Sequence, residues 1–225
     1  MMQPRPDVIA FDVNETLSNM APMAQRFADV GAPGELAAVW FASLLRDGFA
    51  LTITGDNEKF GRIAEGMLRT VLASASLNRP PEDAVRHILA GFTELSVHPD
   101  VHEGVRLLAS DGISLVTLGN GSSVIAERLL TKAGLLDYFD RLLTVEDAQA
   151  WKPAPAAYAY AARACEVDAG QMMLVAAHPW DIHGAHRAGM RTGWISRQPG
   201  SYPEYFTAPD IHAPSLAALA RQIAA

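Results

Sequence analysis

Cysteine is nearly absent from this chain, with Cys165 the only one in 225 residues. A lone thiol excludes an intrachain disulfide and any cysteine metal cluster. It falls in the apolar helical run AYAYAARAC and reads as a packed thiol, because a nucleophilic cysteine needs an electropositive setting. Basic runs are missing as well. With 18 Lys and Arg against 25 Asp and Glu, the formal net charge is −7, which gives no general attraction to a phosphate backbone. Nucleic acid is therefore not an expected partner. The opening MMQPRPDVIAFDV has too short an apolar stretch and too early an acid for a secretory signal, and no segment reads as long enough to span a bilayer. The expectation is a soluble, cytoplasmic protein with no membrane partner, no internal repeat and no low-complexity linker.

What is present is apolar patterning. Hydrophobic residues make up 49% of the chain, enough at this length to bury a sizeable core. Short runs at 8–13 (VIAFDV), 113–118, 141–145, 172–177 and 192–196 read as strands. Alanine-rich, helix-periodic segments at 121–135, 153–165 and 181–190 separate the later ones. That alternation predicts an α/β fold with an open, mostly parallel sheet and helices on both faces. Residues 20–95 instead read as several helices without a convincing strand, and PSLAALARQIAA reads as a last amphipathic helix. The economical division is a core of residues 1–17 and 98–225 with a helical cap, 18–97, inserted after the first strand.

Open parallel sheets bind ligands outside the carboxyl ends of their strands. The loops gathered there carry Asp12 to Thr16, Thr117 to Ser123, Lys152, and His178 to Asp181. Asp12 can act as a nucleophile if held bare and aimed, or can merely satisfy amides of the next turn. Lys152, in WKPAP, is either solvated or paired with Asp12, which would depress the pKa of that acid. The Gly-Asn-Gly of LVTLGNGSS is either an ordinary turn or an anion seat at a helix start. Asp181 is placed to cap a helix. His178 can titrate near neutrality, whereas His183 and His186 read as surface or packing residues, and their spacing with Asp181 matches no usual zinc pattern.

The ordered set FDVNETL, LGNG, WKPAPAAY and HPWDIHGA resembles the haloacid dehalogenase (HAD) superfamily, and within it the type II L-2-haloacid dehalogenase branch. The resemblance spans essentially the whole chain. It implies a Rossmannoid α/β core with an inserted helical cap and a homodimer. It implies that Asp12 displaces halide from C2 of a small 2-halocarboxylic acid with inversion, and that water then hydrolyses the enzyme ester. No metal or cofactor is implied. Lys152 matches the active-site lysine, Tyr158 the tyrosine beyond it, and Asp181 the acid that holds the lysine and helps position or activate water. Asn120 matches an asparagine that binds the substrate carboxylate, and Trp180 a residue walling the pocket. Thr16, Asn14 and the loop at Gly119 complete the expected contacts. The superfamily's magnesium-dependent phosphatases need further acids, where this chain has Asn14 and Ala177.

The chain also departs from the dehalogenase pattern. Phe41 stands at the cap position where the family has an arginine that helps abstract halide, and Arg46 further along that helix is the candidate to reach back. Gly119, Ala176 and His178 replace Ser, Ser and Asn, so two hydroxyls are missing. His178 can supply a hydrogen bond or part of the positive charge missing at Phe41, or orient the water with Asp181. A smaller halide cradle would suit fluoride. The alternatives to dehalogenation are another metal-independent hydrolase or lyase of small carboxylates, and a catalytically weak small-acid binder.

Overall fold

A computed structural model describes residues 5–224. The central sheet runs in the order β5 (Arg141–Thr144), β4 (Ser114–Gly119), β1 (Val8–Phe11), β6 (Met172–Ala176), β7 (Arg191–Ile195) and β8 (Ile211–Ala213). All five pairings are parallel. β1 lies in the middle, all four of its residues buried, as expected of a strand covered on both faces. Its period-two alternation divides the core. Ile9 and Phe11 join one apolar cluster, whereas Val8 and Ala10 join a second on the opposite face. The register places Phe11 beside Thr117 of β4 and Val175 of β6, so the carboxyl ends of β1, β4 and β6 fall within two residues of one another.

Crossover helices cover the faces: α5 (Val101–Ser110), α6 (Ser123–Lys132), the short α7 (Val145–Ala148), α8 (Pro155–Cys165), α9 (Pro179–Arg187) and the terminal α10 (Leu216–Ala224). Local chemistry sets their starts. Ser122 caps α6 by accepting from Val124 N–H, and proline opens α8 and α9, where a missing N–H costs nothing. Between β1 and α5 lie α1 (Met23–Ala28), α2 (Leu36–Ile53), α3 (Phe60–Leu72) and α4 (Pro81–Thr93). The chain enters and leaves this helical segment through a two-residue antiparallel pair, β2 (Ser18–Asn19) with β3 (Ser96–Val97), and His98 N–H donates to Leu17 C=O.

Two sequence expectations need correction. β8 and the β2/β3 pair carry too few residues to show a period, and no strand was expected there. The expectation that no segment suits a bilayer also fails by length and composition, because the 18-residue α2 has a mean hydropathy of 1.4. Trp40, Phe41, Leu44, Leu45 and Gly48 of this helix are buried against the rest of the fold, whereas Val39 and Ile53 are exposed.

Candidate active site

Asp12 follows the last residue of β1, and its backbone N–H still donates to Val175 C=O. The side chain therefore stands at the carboxyl edge of the sheet's central strand, where it is 4% exposed. An isolated carboxylate in that position would be strongly disfavoured. Here it is surrounded by donors. Lys152 Nζ donates to Asp12 Oδ1 at 3.0 Å, Thr16 Oγ1 donates to Oδ2 at 2.7 Å, and His178 Nδ1 lies 3.2 Å from the same oxygen. Burial alone would raise the Asp12 pKa, but the Lys152 charge and the His178 and Thr16 hydrogen bonds hold it well below the carboxylate range.

Lys152 is fully buried and bridges two acids, with its Nζ 2.5 Å from Asp181 Oδ2 as well. Burial opposes its charge, yet the two carboxylates raise its pKa above the ordinary value. Asp181 accepts on its other oxygen from Tyr158 OH at 2.7 Å. Burial, together with the negative charge of Asp12, raises the Asp181 pKa against the opposing pull of Lys152. Burial and the neighbouring Asp181 push the Tyr158 phenol well above its usual range, so it remains a donor. The lysine, two acids and phenol thus form one closed buried network.

Asn120 braces the lysine's backbone. Its Oδ1 accepts from Lys152 N–H at 2.9 Å and its Nδ2 donates to Lys152 C=O at 3.3 Å. The residue expected to meet substrate therefore also fixes the backbone of the lysine. Thr16 has a similar double use, because its hydroxyl accepts from Ala177 N–H at 2.9 Å while donating to Asp12. Its carbonyl is held by Arg197, which also pairs with Asp100 at 2.6 Å. Asp181 is not a helix cap. The N-cap of α9 is His178, and Asp181 sits in the first turn with its carboxylate turned toward Lys152.

His178 is clamped at both ring nitrogens, by Asp12 and by Glu15 Oε2 at 2.8 Å from Nε2. Burial would lower its pKa, but hydrogen bonds and charges from these two acids push it up to about 10. Its ring stacks on Trp180 with centroids 5.0 Å apart, and Phe41 lies at 6.4 Å. Trp180 in turn meets Phe49 edge-on at 5.0 Å. Glu15 was not singled out by sequence reasoning, because only the backbone turn at that residue, with φ of 62°, sends its side chain to His178.

The remaining expected residues divide. Asn14 and Gly119 sit together, both lining a small cleft beside Val13, and a Cβ at Gly119 would lie 3.3 Å from the Val13 side chain. Arg46 is a correction: its guanidinium pairs with the adjacent Asp47 at 2.8 Å and its side chain is 67% exposed. Five residues beyond Phe41, Arg46 lies well round α2 from the buried face of Phe41, Leu44 and Leu45, so this arginine does not reach back to Asp12. A groove of about 800 Å³ opens beside the site, lined by Glu15, Met23, Phe41, His178 and Arg197 among others.

The donor set fits a cation already built into the chain better than a divalent metal. Lys152 occupies the gap between Asp12 and Asp181, and Asn14 and Ala177 supply no further carboxylate. Magnesium favours several oxygen ligands with carboxylates among them. Among the described residues no group of three or more His, Cys, Asp or Glu side chains is arranged to hold a metal.

The model of the haloacid dehalogenase-like hydrolase family matches residues 6–189. A haloacetate dehalogenase of Moraxella sp. (strain B) is 26% identical, with 97% of this chain and 98% of the relative covered. An (S)-2-haloacid dehalogenase of Pseudomonas sp. (strain YL) is 29% identical, covering 94% of this chain and 91% of its own. A solved L-2-haloacid dehalogenase superposes with a TM-score of 0.91 at 26% identity, covering 99% of this chain and 100% of its own.

Proposed function

The chain belongs to the haloacid dehalogenase-like hydrolases, and from that premise we propose that it hydrolyses the carbon–halogen bond of short 2-halocarboxylic acids. The observation that carries the reading is the buried Lys152 ammonium held between Asp12 and Asp181. It keeps Asp12 ionised in a dry site, where a weakly hydrated carboxylate is a usable nucleophile. An Asp12 oxygen attacks C2, the C–X bond breaks, and halide leaves with the bonding pair. Water then adds to the Asp12 carbonyl carbon and gives a proton to Asp181, whose burial favours accepting it. Collapse breaks the ester's Cγ–O bond, the departing alkoxide takes the proton held by Asp181 to become the 2-hydroxy acid, and the remaining Asp12 acid ionises to restore the carboxylate. The products are halide, the hydroxy acid and one proton.

The substrate carboxylate is assigned to the loop that joins β4 to α6, where Asn120 carries amide donors at the positive, N-terminal end of α6. The wide groove at Phe41 and His178 is the route for substrate and water.

Halide release from fluoro-, chloro- and bromoacetate and both enantiomers of 2-chloropropionate, in metal-free buffer, tests the proposal. Wild type should release halide from at least one acid, and Asp12→Asn should release none while remaining folded. Release unaffected by Asp12→Asn, or none from wild type with any acid, overturns it.

A further inference from the structure

The inference rests on the Asp12 ester of the proposed function. We propose that Glu15 and His178 form a dyad whose imidazolium, together with the Thr16 hydroxyl, holds the negative charge that develops on Asp12 Oδ2 during ester hydrolysis. Glu15 is a positioning residue in this assignment, since it acts through His178.

The geometry of the imidazole requires the charged form. A neutral ring has one N–H and one lone pair, yet both His178 nitrogens face carboxylate oxygens, at 3.2 Å and 2.8 Å. Only the doubly protonated ring donates to both. The ring is fixed between Trp180 and Phe41. Glu15 is fixed in turn by its backbone, which donates to Ser18 Oγ and accepts from His98 Nε2 at 3.1 Å.

The two oxygens of Asp12 are not equivalent. Oδ2 has two donors, Thr16 and His178, whereas Oδ1 is met by Lys152 alone among the described contacts. Oδ1 therefore keeps a lone pair free to attack C2, and Oδ2 becomes the carbonyl oxygen of the ester. When water adds to Cγ, the C=O π pair moves onto Oδ2, and it returns when the Cγ–Oδ1 bond breaks. Donors already aimed at an oxygen that gains charge lower such a barrier.

Glu15 matters most at the ester stage. Esterification neutralises Asp12, so the imidazolium loses one of its two anions, and Glu15 becomes the group that keeps it protonated. Other titratable and charged groups in this neighbourhood act at one remove: Lys152 on Asp12, His98, whose pKa burial and Arg197 lower, on the Glu15 carbonyl, and Arg197 on the Thr16 carbonyl.

Rapid-quench kinetics with the best haloacetate, following halide release and the intact mass of the protein, separate the two half-reactions. His178→Ala should give a halide burst of one per site, then turnover about 10²–10³-fold slower, with a carboxymethyl ester accumulating on Asp12. Glu15→Gln should accumulate the same ester increasingly as pH rises, because its imidazolium deprotonates once Asp12 is esterified. His178→Asn, which keeps a neutral donor, should give an ester lifetime between wild type and His178→Ala, and its burst reports a folded site. The dyad assignment fails if the variants slow the burst and no ester accumulates, or if ester hydrolysis in Glu15→Gln speeds up with pH, which would make His178 a base. Absence of halide release from wild type overturns the underlying reading instead.

Discussion

At the scale of single residues, Lys152 does the most electrostatic work. It is a cation shared by two buried acids, and breaking a buried pair on one side leaves an uncompensated charge. Lys152→Met should therefore abolish halide release and lower stability by about 3–5 kcal/mol in denaturant titrations at neutral pH. Retained halide release would contradict the role given to the lysine. His178 has the opposite titration sense from Asp12. Its folded pKa of about 10 lies above the ordinary 6.5, so its contribution is complete below pH 6.5 and is lost as pH rises through about 10. Asp12 is held low, so its contribution is present above the ordinary carboxylate pKa and lost in acid. Denaturant titrations of wild type and His178→Asn across that alkaline range should show their stability difference shrinking as pH rises. A constant difference would mean that His178 is not charged in the folded protein.

At the scale of elements, α2 and the loop before α8 are tied together by Trp151. Its indole N–H donates to Glu58 C=O and its backbone N–H to Thr52 Oγ1, both at 3.1 Å, while Phe60 stacks on its ring. Gly48 of α2 makes this approach possible, since a Cβ there would lie 2.4 Å from the indole. Gly48→Ala should thus cost about 1–3 kcal/mol through overpacking. It should also reduce activity, because Trp151 directly precedes Lys152. Thermal unfolding and halide release measured on the same preparation check this, and an unchanged melting temperature would contradict the contact. Element boundaries were legible where periodicity ran long enough. The five strands expected from apolar runs lie within a residue or two of their predicted positions in the sheet, and α8 runs over 155–165 within the expected 153–165. β2, β3 and β8 were not legible, because two or three residues show no period and their pairing is set by distant chain.

At the scale of the whole molecule, the parallel order β5-β4-β1-β6-β7-β8 brings residues 12, 16, 120, 152, 178 and 181 to one edge. Each strand end contributes one loop, which is why the ordered motifs were readable as a site before any contact was known. Three features were not readable. Glu15 depends on a left-handed turn, the double use of Asn120 depends on where the Lys152 backbone passes, and the outward direction of Arg46 depends on the rotation of α2. Each is a matter of orientation, and residue type and spacing do not encode it locally.

The central claim is that an Asp12 oxygen, and not a water molecule, displaces the halide. A single turnover in heavy-oxygen water, with enzyme in excess over haloacid, tests it most directly. Attack by Asp12 predicts a product hydroxyl carrying ordinary oxygen, with the heavy isotope recovered in the Asp12 carboxylate. Heavy oxygen in the product, with none in Asp12, would contradict the account.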